Sequence, residues 1–115
     1  MKLPRAEDVI VPKQKLTNYL LALEHEAGGN KARFFFRFGF ERQNWRLLAR
    51  ALKRHASEND VVGVRWISQG QLYVVEGPLS TPVGVRPGVR SIWMIRHDEV
   101  IPSLTTAYPF RRVKP

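Results

Sequence analysis

His25 and Lys31 lie six residues apart in the run Glu24-His25-Glu26-Ala27-Gly28-Gly29-Asn30-Lys31. Histidine is the residue type that titrates near neutral pH, lysine carries a positive charge, and a Gly-Gly pair between them lets the chain turn so that both can meet at one site. If a helix opens at that turn, its first backbone N–H groups and the lysine ammonium together suit a phosphate oxygen. Near the other end of the chain Thr106 and Tyr108 stand two apart in a β-rich segment. Their hydroxyl and phenol then share one sheet face, roughly 7 Å apart, and both can touch one phosphodiester. Each pair also has an ordinary structural reading. Gly-Gly-Asn turns a chain and caps a helix while His25 pairs with Glu24 or Glu26, and Thr and Tyr are common strand residues. Trp66 and Trp93 read as core or sheet-packing residues rather than base-stacking platforms.

Helices must carry the first pair and a sheet the second. Leu16, Tyr19, Leu20 and Leu23 follow Pro12 at helical spacing, which predicts a short amphipathic helix from Lys15 to about Leu23. Gly28-Gly29 breaks it, Asn30 is placed to cap a second helix over Lys31 to Phe38, and Gly39 sits where a C-terminal cap belongs. Trp45, Leu48, Ala49, Leu52 and Ala56 give the apolar stripe of a third helix, Arg42 to about Ala56. After Asn59-Asp60 the period changes. Val61 to Ile67 and Leu72 to Val75 read as a hairpin turned at Gln69-Gly70, Val89 to Arg96 as a third strand, and Ser103 to Tyr108 as a fourth. A long Pro- and Gly-rich loop runs from Gly77 to Gly88. The expected fold is α+β in a single domain over residues 1–115: a helical part at about 13–57 packed on a mostly antiparallel four-stranded sheet at about 61–109, then a short basic tail, 110–115.

The chain has 115 residues, 19 Lys+Arg against 10 Asp+Glu, no Cys, and a formal net charge of +9. The surplus is localised. Residues 31–54 hold eight basic residues and one acid, Glu41, which is seven of the nine net charges. On the third helix Arg42, Arg46, Arg50 and Lys53 form a basic stripe nearly opposite the apolar one. Such a surface draws polyanions: nucleic acid, an acidic protein or anionic lipid. The plainer reading is a solvated face that serves solubility.

Several chemistries lack their residues. Without cysteine there is no disulfide scaffold, thiolate metal site or cysteine nucleophile. His25, His55 and His97 lie far apart in sequence with no His-x-x-x-His pair, so no metal site and no cofactor is expected. The carboxylates show no paired arrangement for two-metal or glycosidase chemistry. Neither a Walker loop nor Gly-x-Ser-x-Gly occurs. No apolar run is long enough for a membrane span and the start lacks a signal peptide's apolar region, so a cytoplasmic protein is expected.

Five strings taken together carry a resemblance: Lys15-Leu16-Thr17-Asn18-Tyr19-Leu20-Leu21, the turn from His25 to Lys31 with Ala32-Arg33-Phe34-Phe35, Tyr73 to Leu79, Val89-Arg90-Ser91-Ile92-Trp93, and Leu104 to Pro109. From about Leu16 to Pro109 the chain resembles a family of small bacterial proteins of unknown function, similar to the toxin half of toxin–antitoxin pairs and to the C-terminal domains of polymorphic toxins. More distantly it looks like the barnase, EndoU, colicin and RelE class of metal-independent ribonucleases, which place helices before an antiparallel sheet. The resemblance marks His25, Lys31, Thr106 and Tyr108 as the candidate catalytic site. It departs from the family's usual form at Glu26, where a proline often follows the histidine, and at Thr105, which replaces an apolar residue.

The resulting expectation is a ribonuclease toxin that cleaves RNA by 2′-hydroxyl attack. His25 would serve as general base or acid, Lys31 and Thr106 would stabilise the phosphoryl charge, and Tyr108 would orient the phosphate or stack on a base. Arg33, Arg42, Arg46, Arg50 and Lys53 would hold the RNA backbone, and an acidic antitoxin or immunity protein would be the protein partner. The alternative is a non-catalytic module that binds nucleic acid or an acidic protein.

Overall fold

The apolar runs at helical spacing become helices and the β-branched runs become strands, in the order expected. The computed structural model describes residues 1–26 and 29–110; Ala27, Gly28 and the tail with Arg111, Arg112 and Lys114 lie outside the described residues. Helix α1, Lys13–Lys15, starts after Pro12 and widens into a π turn, Leu16–Leu20, closed by the Leu21 N–H donating to the Leu16 carbonyl at 2.7 Å. It ends before Leu23 because Leu21 leaves the helical conformation, and Leu23 is exposed rather than part of the core stripe.

Helix α2 spans Gly29–Arg37 and helix α3 Trp45–Glu58. The expected cap on α2 is replaced by another. The helix begins one residue before Asn30, the Gly29 N–H donates to the His25 carbonyl at 2.8 Å, and the Asn30 side chain instead accepts from Arg33 at 2.6 Å. Glycine is required at 29 by close approach: a Cβ there would lie 2.8 Å from the Leu23 carbonyl oxygen. At the far end Gly39 adopts φ +92, and the N–H groups of Gly39 and Phe40 donate to the carbonyls of Phe36 and Phe35, the paired closure of a Schellman motif. Helix α3 starts later than the apolar stripe predicts. The Asn44 side chain accepts from the Glu41 N–H at 2.6 Å and donates to the Gly39 carbonyl, folding this segment into a turn that leaves Arg42 outside the helix.

The sheet comprises β1, Val61–Ile67; β2, Gly70–Pro78; β3, Gly88–Arg96; and β4, Ser103–Pro109. It is an antiparallel meander in the order β1-β2-β3-β4, so β1 and β4 are its edges. The helices cover one face. Tyr73, Trp93 and Leu104 pair across β2, β3 and β4, as do Val75, Ser91 and Ala107, and all six are buried. Trp93, Phe35, Phe40, Leu16, Leu20, Leu48 and Leu52 are among the large side chains fully withdrawn from water. Trp66, by contrast, is 76% exposed on edge strand β1, because no helix covers that end of the sheet. Val61–Ile67 still folds as a strand because its backbone pairs with β2 along its length, apart from a register shift at Val62.

His55 is the buried polar member of α3, 1% exposed, and its environment assigns its proton. Nε2 lies 3.0 Å from the Gly77 carbonyl and 2.9 Å from that of Val89, and carbonyls only accept, so Nε2 carries the hydrogen. Nδ1 then accepts from the Ser91 hydroxyl at 2.9 Å, and Ser91 Oγ accepts from the Trp93 indole N–H at 2.8 Å. This chain ties α3 to β2 and β3 with each buried group satisfied. Burial lowers the His55 pKa and keeps the ring neutral, although the hydrogen bonds to Gly77 and Val89 oppose it.

Strand β4 contains the irregularity that aims the candidate residues. Ile92 pairs with Thr106 and Trp93 with Leu104, so one step on β3 is matched by two on β4, and Thr105 is the extra residue. Leu104 and Ala107 consequently face the core although they are three apart, while Thr106 and Tyr108 share the opposite face.

Candidate functional site

Three separate stretches of chain meet at edge strand β4. Both α1 and α2 contact β4, and residues before α1 also pair with it: Ile10 bridges Ser103 in parallel, with the Leu104 N–H donating to the Ile10 carbonyl at 2.9 Å. That pairing registers the π turn beside the strand. The Tyr19 hydroxyl lies 2.9 Å from Thr106 Oγ1, joining residues 87 apart in sequence.

Tyr19 is the centre of the arrangement. His25 stands edge-on to its ring at a centroid distance of 4.9 Å, and Lys31 Nζ lies 5.2 Å from the ring centroid. Lys31 also lies 5.9 Å from the ring centroid of Tyr108, which brings the fourth residue into the group. Of the sequence-predicted set, His25, Lys31 and Thr106 are therefore brought together around one phenol, and Tyr108 joins them through Lys31. Burial raises the Tyr19 pKa, but the hydrogen bonds with Thr106 and Lys31 and the charges of Lys31 and Lys15 outweigh it, leaving the phenol below the ordinary tyrosine value. Asn30, Lys31, Tyr108 and Pro109 line an adjoining open cavity of about 400 Å³.

On the uncovered sheet face Glu76, Arg90 and Tyr108 lie side by side across β2, β3 and β4. Arg90 forms an ion pair with Glu76 and donates to the Tyr108 hydroxyl at 3.4 Å. These two hydrogen bonds, that to Tyr108 first, raise the Arg90 pKa. Tyr108 thus stands between two cations, Arg90 with Cζ 5.7 Å from its ring centroid and Lys31 on α2. An imidazole, an ammonium, two phenols and a hydroxyl in one place, beside a guanidinium, can bind an oxyanion and exchange protons with it. Among the described residues no three His, Asp or Glu side chains gather as a metal site.

A family model described as Domain of unknown function (DUF6883) matches residues 2–111. The chain belongs to this family. No curated protein matches it. A chain of the solved structure "Contact-dependent growth inhibition toxin - immunity protein complex from Klebsiella pneumoniae 342" is similar in fold, with a TM-score of 0.69, covering 88% of this chain and 99% of that chain at 20% sequence identity.

In this DUF6883 chain the basic residues spread from α2 to α3. Arg33 is exposed on α2 and bonded to Asn30. Arg42 lies 3.7 Å from Glu24, the residue before His25, so the turn preceding α3 reaches back to the candidate site. Arg46 stacks over Trp45 at 4.6 Å, and Arg50 and Lys53 project from exposed positions of α3. The stripe is continuous from Arg46 onward, whereas Arg42 joins it from the turn.

Two residues of the cluster escaped the sequence reading. Tyr19 counted as an apolar-stripe position and as part of one string of the resemblance, and its hydroxyl acquires meaning only from Thr106. Arg90 lies in one of the strings that carry the family resemblance, but its position beside Tyr108 depends on the β3–β4 register. No helix among the described residues is long and apolar enough to cross a membrane.

Proposed function

We propose that this protein is a ribonuclease toxin that cleaves cytoplasmic RNA by attack of a ribose 2′-hydroxyl on the adjacent phosphate, and that an acidic immunity protein neutralises it. The observation that carries the reading is the convergence of His25, Lys31 and Thr106 around Tyr19 at one sheet edge, with Tyr108 on the other side of Lys31. A net charge of +9 with most of the surplus between residues 31 and 54 supports RNA as the substrate, since phosphate contacts dominate nucleic-acid affinity. The same sign of charge favours the toxin over the immunity role, because a protein that blocks a basic surface must itself be acidic. The fold shared with a chain of the Klebsiella toxin and immunity protein complex supports a place in such a toxin and immunity pair.

In the reaction the 2′-oxygen forms a bond to phosphorus as its proton passes to a base, and the bond to the 5′-oxygen breaks as that oxygen receives a proton. The products are a 2′,3′-cyclic phosphate and a 5′-hydroxyl, and no metal is required. His25 is the proton-transfer residue, acting as base or acid. Lys31 and the Thr106 hydroxyl stabilise the charge that grows on the non-bridging oxygens. Tyr108 orients the phosphate or stacks on a base, and Arg33, Arg42, Arg46, Arg50 and Lys53 hold the backbone beyond the cut.

Incubation of the purified protein with total RNA in EDTA tests this. Cleavage to cyclic-phosphate ends is the expected result, lost in His25→Ala and Lys31→Ala variants that retain wild-type circular dichroism. Intact RNA in the presence of folded protein at micromolar concentration refutes catalysis and leaves the binding module.

A further inference from the structure

The Tyr19 hydroxyl and Thr106 Oγ1 lie 2.9 Å apart, and either can be the donor. Lys31 Nζ stands 5.2 Å from the centroid of the same phenol ring. The cross-strand neighbour of Thr106 on its own face is Ile92, which has no polar side-chain atom, so the phenol is the group that sets where the Thr106 hydroxyl lies. His25 packs against the same ring at 4.9 Å, so the phenol also fixes the imidazole's position relative to Thr106.

We infer that Tyr19 is a positioning residue of the phosphate site, holding the Thr106 hydroxyl beside a non-bridging oxygen of an RNA phosphodiester. The inference rests on the ribonuclease reading and adds to it a residue that does not touch substrate. Tyr19 acts through Thr106, and its ring and its hydroxyl have separate duties. The ring packs against His25 and Lys31, whereas the hydroxyl holds Thr106.

Tyr19→Phe separates the two, since it keeps the ring and removes only the hydroxyl. The expected result is a kcat lower by about 10-fold with KM within about twofold, the size of one hydrogen bond realised in the transition state. Thr106→Val should lose at least as much, and the double variant no more than Thr106→Val alone, because the two act as a unit. A Tyr19→Phe enzyme with wild-type kcat, or losses that multiply in the double variant, overturns the proposal.

A second measurement needs no substrate. Ultraviolet titration of the tyrosines, with Tyr19 assigned by its loss in Tyr19→Phe, should show the phenol titrating at higher pH in Lys31→Met and in Thr106→Val. If wild-type protein leaves RNA intact while this coupling persists, the ribonuclease reading has failed and the catalytic duty of Tyr19 falls with it. If RNA is cleaved but the coupling is absent, the positioning role of Tyr19 alone is refuted.

Discussion

Replacing His55 by alanine tests how the helical layer is joined to the sheet that carries the site. The imidazole is fully buried and supplies a donor shared by the Gly77 and Val89 carbonyls and an acceptor for Ser91. Truncation leaves two carbonyls and one hydroxyl without their partner, each worth about 1 kcal/mol or somewhat more, and opens a ring-sized cavity, giving roughly 3–5 kcal/mol in all. Typical stabilities are about 5–15 kcal/mol, so the variant should remain folded only narrowly, if at all. Urea unfolding followed by tryptophan fluorescence suits the measurement, since Trp93 ends the same hydrogen-bonded chain. The pH dependence supplies an independent check. The folded-state pKa of His55 is lowered, so below the unfolded value of 6.5 the unfolded state binds more protons, and stability falls as pH drops through and below that value. Wild-type protein should therefore unfold at lower urea at pH 5 than at pH 7.5, and His55→Phe, which cannot titrate, should lose that part of the slope. A His55→Ala cost under about 1 kcal/mol, typical of surface changes, or an unchanged pH slope in His55→Phe, would refute the assignment of a neutral, fully satisfied ring.

Other changes probe the site and its supports. Arg46→Ala and Arg50→Ala should each weaken RNA binding and reduce the magnitude of the salt slope by about 1 without altering the chemical step, as read by binding over a salt series. Thr105→Val should leave cleavage of total RNA within about twofold of wild type, because the bulge gives Thr105 no part in the Tyr19 contact and an exposed-edge change of this size is small. Gly39→Ala should lower stability by about 1–2 kcal/mol in thermal or urea melts, since its φ of +92 disfavours any side chain and Pro82 and Val83 crowd the position. Trp66→Ser should change stability by no more than about 0.5 kcal/mol, because its indole is mostly in water.

Local physics made much of the architecture legible in the sequence. The stripe of Leu48, Ala49, Leu52 and Ala56 specifies one face of α3, Gly39 specifies its predecessor's end, and the β-branched runs specify four strands, since each signal acts over a few residues. The four candidate residues were legible as types suited to a phosphate, with a family resemblance to link them. Where the sequence reading erred, a tertiary or cap interaction outweighed a local preference. Asn30 lost the cap to the His25 carbonyl, Asn44 delayed the start of α3, and Trp66 lies at a sheet end that the helices do not reach.

Charge, the absence of cysteine and the order of helices before strands were determined by the amino-acid sequence alone. Only the tertiary structure decided that Thr106 meets Tyr19, and that Arg90 stands beside Tyr108. A one-residue bulge reverses which face a strand residue takes, and that bulge depends on pairing with β3. A hydrogen bond between residues 19 and 106 likewise exists only once the π turn and the last strand are packed together, so no window of sequence contains both partners.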